Sequence, residues 1–88
     1  MMKFIYRLTM MRSRKMIRKK YGSEFWRNFA NESDKMFREV LKRTPDIGES
    51  VFSFNYVYAP SYVAWYKTMQ NLGLDAKQAD ELMWRMNE

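Results

Sequence analysis

Arg12, Arg14, Lys15, Arg18, Lys19 and Lys20 stand within one nine-residue stretch. The chemistry open to six cations so close together is the neutralisation of clustered negative charge, above all phosphate. The first 22 residues carry eight of the chain's 16 Lys and Arg and none of its ten Asp and Glu. Tyr21 and Trp26 lie close enough in sequence to stack on bases. The cations are spread around a helix, however, and no nucleic-acid recognition motif accompanies them, so no specific nucleic acid is expected. An anionic membrane surface would use the same cations with Phe4, Ile5, Leu8 and Met11 as the apolar side. The plainest reading is a solvated basic helix whose short apolar stripe packs on the rest of the domain.

Other chemistries are largely closed. The chain has no Cys and no His, so it lacks a thiolate nucleophile, the usual base near neutral pH and the usual zinc ligands. Six Ser have no His or Cys to activate them, and no G-x-S-x-G elbow is present. Asp80 and Glu81 are adjacent, so a helix points them about 100 degrees apart, which does not make an acid–base pair. No catalytic residue, metal site or cofactor is expected. The run Phe52, Phe54, Tyr56, Tyr58, Tyr62, Trp65 and Tyr66 could line a small-ligand pocket, because Tyr and Trp join an apolar body to a polar handle. Asn55, Tyr56 and Tyr66 are its candidate contacts. Packing explains the same run more simply. Asn55 is then a turn residue, since a buried amide must find hydrogen-bond partners.

The elements that position these residues are helical. Lys3–Lys20 has no Gly or Pro and is rich in good helix formers. Phe4, Ile5, Leu8 and Met11 recur at helical spacing. Gly22 supplies a left-handed stop. Ser23 is placed to cap a second helix, Ser23–Arg43. Phe25, Trp26, Phe29, Met36, Phe37, Val40 and Leu41 fall near one face of it, and Asp34 and Arg38 are spaced for an ion pair. Pro45 stops it near Arg43. Val51 to Tyr58 alternates like a strand but has no partner to pair with, so an extended or irregular segment turning helical towards Pro60 is expected. Pro60 suits the first turn of a third helix, Pro60–Leu72. Asp75 and Gln78 have the spacing of a capping box for a fourth, Ala76–Met86, with Leu74 as its staple.

The expected fold is therefore all-α: a small bundle of four helices with an irregular aromatic segment between the second and third. The basic helix occupies 1–22 and a helical domain 23–88. Phe25, Trp26, Phe29, Met36, Phe37, Val40, Leu41, Val63, Tyr66, Met69, Leu82 and Met83 should form the core. An 88-residue domain buries only about 60–65% of its unfolded surface. With 17% aromatics and nine Met, this chain carries more apolar surface than that easily covers. The expected partner is a second half of a longer chain or another protein subunit. Absence of Cys fits a reducing compartment such as the cytoplasm; the Arg-rich, acid-free N-terminus would also fit a mitochondrial leader.

Several short motifs occur in a recognisable order. Arg18-Lys19-Lys20-Tyr21-Gly22 precedes a helix. Pro45-Asp46-Ile47-Gly48 and an aromatic stretch follow it. Then come Trp65-Tyr66-Lys67, Leu72-Gly73-Leu74-Asp75, Ala79 and Leu82-Met83-Trp84. From about Met16 to Met86 this order resembles the N-terminal half of the L-2-amino-thiazoline-4-carboxylic acid hydrolase family, with Asn55 where such sequences often carry an Asn. Members of that family open ring thiazolines by hydrolysis, and the resemblance places the chemistry in a Cys-bearing C-terminal half. It implies for these residues a helical region, inactive alone, that packs on a second half.

Overall fold

A computed structural model of the chain describes residues 2–43 and 54–87. Four helices follow one another: α1 (Met2–Tyr21), α2 (Ser23–Arg43), α3 (Phe54–Asn71) and α4 (Ala76–Met86). No strand occurs among the described residues, and the architecture is a small all-α bundle. Its most extensive contact is between α2 and α3, while α1 lies against all three other helices.

Each described junction has a local cause. Gly22 adopts φ +98°, a conformation that costs a residue with a Cβ. Its N–H donates to the Arg18 carbonyl at 2.9 Å, closing α1. Its own carbonyl accepts from the Trp26 N–H at 3.1 Å, opening α2. Gly22 thus ends one helix and begins the next. The capping role expected of Ser23 falls to Gly22 instead, because a one-residue connection leaves Ser23 inside the first turn. At the end of α3, Gly73 (φ +89°) donates to the Gln70 carbonyl and Leu74 donates to the Met69 carbonyl, both at 3.0 Å. This paired closure satisfies two carbonyls that would otherwise be free. Asp75 Oδ1 then accepts from the Gln78 N–H at 2.8 Å, and the Asp75 N–H donates to Gln78 Oε1 at 3.0 Å. The expected capping box is present in both directions.

The third helix starts six residues before its expected position, so Pro60 lies inside it and is buried. Proline there lacks a helical N–H and crowds the preceding turn. With no strand to pair against, helix is the conformation that satisfies the backbone groups of 54–59 locally, and this outweighs the proline. The extended conformation expected for Val51 to Tyr58 is replaced by helix from Phe54. The first three residues of that segment, and the Pro45 to Gly48 motif, lie outside the described residues.

All four helices feed one core: Tyr6, Met10 and Ile17 from α1; Phe29 and Phe37 from α2; Ala64, Trp65 and Met69 from α3; Ala79, Leu82, Met83 and Met86 from α4. Phe25, Trp26, Met36, Val40 and Leu41 pack half-buried around it, as the α2 periodicity predicts. Two expected members do not belong. Val63 and Tyr66 are 41% and 36% exposed. The face of α3 that turns inward is Ser61, Ala64, Trp65, Thr68 and Met69, in which two hydroxyl residues disguise the apolar pattern. Thr68 satisfies its hydroxyl on the Ala64 carbonyl one turn back, at 2.8 Å.

The same disguise operates on α1. Its packed face is Tyr6, Thr9, Met10, Ser13 and Ile17, and the stripe expected to pack is instead turned outwards. Phe4 is 67% exposed, Leu8 43% and Met11 74%. The apolar stripe of α1 is therefore not accounted for by packing on the domain. Only Ile5 of that set is half-buried.

Candidate anion-binding face

Phe4, Leu8, Met11, Lys15 and Arg18 are spaced by four, three, four and three residues. That spacing places them along a single line on α1, opposite the Tyr6–Ser13–Ile17 side. The N-terminal half of this line is apolar and the C-terminal half cationic. Two shallow clefts adjoin the cationic half. Met11, Arg14, Lys15, Arg18, Lys19 and Ser23 line one. Arg14, Arg18, Ser23, Trp26, Arg27, Ala30 and Asn31 line the other. They share Arg14, Arg18 and Ser23, and no carboxylate lines either.

The tight turn at Gly22 builds this arrangement. It folds α2 back along α1, so that Arg27, five residues after the glycine, comes beside Arg18, four residues before it. Arg27 is the functional candidate that sequence reasoning missed. It was visible only as one cation among several on the polar face of α2; the signal that could have found it is its near-equal distance from Gly22.

The six cations singled out from sequence divide. Arg14, Lys15, Arg18 and Lys19 come together around the clefts. Arg12 lines neither cleft. Lys20 is engaged elsewhere: its Nζ lies 2.7 Å from Glu81 Oε1 on α4 and 5.6 Å from the centre of the Tyr21 ring. The hydrogen bond from Lys20 holds the Glu81 carboxyl below its ordinary pKa, and Arg85 at 3.6 Å adds to the effect. Arg18 donates a long 3.4 Å hydrogen bond to Ser23 Oγ. Among the described residues, Arg14, Lys15, Lys19 and Arg27 form no ion pair. Arg14 with Arg18 and Lys15 with Lys19 are like charges four apart on a helix, an arrangement that disfavours the helix slightly. Bound anion removes that repulsion, and guanidinium groups suit phosphate oxygens in particular. Both clefts are open to water, so the site can hold an anion but does not exclude solvent for chemistry.

Of the candidate pocket contacts Asn55, Tyr56 and Tyr66, the structure describes the side chain of Tyr66. The Tyr66 hydroxyl donates to Asp80 Oδ1 at 2.9 Å, which ties α3 to α4. That bond, with some burial, raises the phenol's pKa. Tyr66 is thus a surface tie between helices. Asn55 and Tyr56 fall on the first turn of α3, and their side chains lie outside the described part of the structure. Asp80 and Glu81 are each engaged in such ties, to different helices. Among the described residues there is no group of three or more potential metal ligands, and no helix is long and apolar enough to cross a membrane.

No family model matches this chain, and no curated protein or solved structure matches it.

Proposed function

We propose that the chain is a helical region of a protein similar to the L-2-amino-thiazoline-4-carboxylic acid hydrolases, a region that supplies packing and docking surface and leaves ring hydrolysis to a second half. The observation that carries this reading is the position of the motif residues. Tyr21-Gly22 closes α1, Gly73 closes α3 and Asp75 caps α4. Two of the motifs on which the resemblance rests, Arg18 to Gly22 and Leu72 to Asp75, therefore lie at helix junctions. The apolar surface left open on α4, where Trp84 is 75% exposed, is what a second half would cover. The coding sequence downstream of Glu88 is the test. An in-frame continuation carrying cysteines supports the reading, and a stop codon there sinks it.

A second reading is favoured by the outer face of α1: a small basic module that docks on an anionic surface. Its support is the convergence of Arg14, Lys15, Arg18, Lys19 and Arg27 around clefts without a carboxylate. Retention of the chain on heparin, weakening steeply with salt as condensed counterions are released, tests it. Elution at low salt, unchanged when Arg14, Arg18 and Lys19 become Gln, removes it.

A further inference from the structure

We infer that the outer face of α1 docks on an anionic lipid leaflet, with Phe4, Leu8 and Met11 entering the boundary of the acyl chains and Arg14, Lys15, Arg18 and Arg27 holding lipid phosphates. This rests on the anionic-surface reading and commits it to one source of phosphate.

Three observations point the same way. First, the three apolar side chains are exposed although α1 has a packed face on its other side. They are therefore not the price of an incomplete core on this helix. Secondly, apolar and cationic residues share one line along a helix about 30 Å long, at 1.5 Å per residue. A polyanion in water would engage Lys15 and Arg18 and leave Phe4, Leu8 and Met11 wet. A leaflet takes both, because its headgroup layer is charged and the layer beneath is apolar. Thirdly, the charge is complementary along the whole helix. α1 contains no acidic residue, so no part of this face is repelled by an anionic surface, and juxtamembrane Lys and Arg each add to such binding. Arg27 extends the cationic side onto α2. The helix lies along the interface; it does not cross it, in keeping with its interruption by Arg7 and Arg12 and with the buried position of Tyr6 and Ile17 in the bundle.

Flotation of the full chain with phosphatidylcholine vesicles, with and without phosphatidylserine, tests this. Heparin chromatography runs alongside, and the melting curve of each variant checks its folding. The wild type is expected to float with the mixed vesicles and not with phosphatidylcholine alone. Leu8→Asp should lose vesicle binding while keeping its heparin elution, and Met11→Asp, at a still more exposed position, should do the same. The triple change of Arg14, Lys15 and Arg18 to Gln should weaken vesicle binding about a hundredfold and shorten heparin retention as well. Vesicle binding indifferent to both Leu8→Asp and Met11→Asp overturns the lipid proposal. So does a wild type that is retained by heparin but floats with neither vesicle, a result that leaves the anionic-surface reading standing. Failure to bind either vesicles or heparin overturns both.

Discussion

The Tyr6 hydroxyl on α1 donates a 2.7 Å hydrogen bond to Asp34 Oδ1 on α2. The ring behind that hydroxyl lies between two others: Phe37 of α2 at 4.2 Å between centroids, nearly parallel, and Trp65 of α3 at 5.5 Å. One side chain therefore joins three helices, apolar on both faces and polar at its tip. The same bond redirects Asp34 from the ion pair expected within α2. Arg38 Nε donates instead to the Asp34 main-chain carbonyl, at 3.3 Å.

Tyr6→Phe keeps the aromatic stack and deletes the bond. A hydrogen bond to a charged group contributes about 1.5–3 kcal/mol, and Asp34, being solvent-accessible, recovers part of that from water, so a loss of about 1–2 kcal/mol is expected. Tyr6→Ala removes the stack too and should cost about 3–5 kcal/mol. Urea unfolding measures both. A double-mutant cycle of Tyr6→Phe with Asp34→Ala should show coupling; additive effects would mean that the bond contributes nothing.

The bond also makes stability depend on alkaline pH. Burial, then the hydrogen bond to Asp34 and its negative charge, push the Tyr6 phenol above its ordinary pKa. In the unfolded chain the phenol titrates near its usual value of about 10. The stabilisation is fully present below that pH. It is lost as pH rises above it, because the unfolded chain then releases a proton that the folded chain retains. The melting temperature should fall above pH about 10 more steeply in the wild type than in Tyr6→Phe. Parallel curves for the two would refute the assignment.

Gly22→Ala tests the hinge of the basic face. Nothing lies within 4 Å of an added Cβ, so the whole cost comes from holding a positive φ, about 1–2 kcal/mol. Unfolding in urea should show that loss, with helix content by circular dichroism unchanged. A larger loss, or a loss of helix, would mean that the turn had reorganised and separated Arg27 from Arg18.

Ser13, Ser33 and Ser61, one on each of the three long helices, are at most 3% exposed. Among the described residues none of their hydroxyls makes a hydrogen bond, although that of Ser33 lies near the Tyr6 hydroxyl. A buried hydroxyl without a partner costs desolvation energy, and Ala is the better helix former. Ser13→Ala and Ser61→Ala should each raise stability by about 1 kcal/mol. A melting temperature lowered by either change would show that the hydroxyl is satisfied after all.

Much of the helical layout was legible because its causes are local. Ser23–Arg43 carries an apolar face regular enough to read directly, and its observed bounds are the expected ones. Asp75 and Gln78 announce α4 because a capping box needs only residues three apart. Gly22 marks a stop because few other residues accept its conformation. The face that α1 turns inwards was not legible. Thr9 and Ser13 interrupt it, while Phe4, Leu8 and Met11 offer a cleaner stripe on the other side.

Helix number, most helix ends and the concentration of charge on α1 were thus determined by the sequence alone, since backbone hydrogen bonding, capping and net charge depend on near neighbours. Tertiary structure decided which side of α1 is buried and that Arg27 joins Arg14 and Arg18. Those outcomes depend on which ring fits between Phe37 and Trp65, and on where a one-residue turn directs α2. The first joins residues far apart in the chain and the second joins two helices, and spacing along a single helix contains neither.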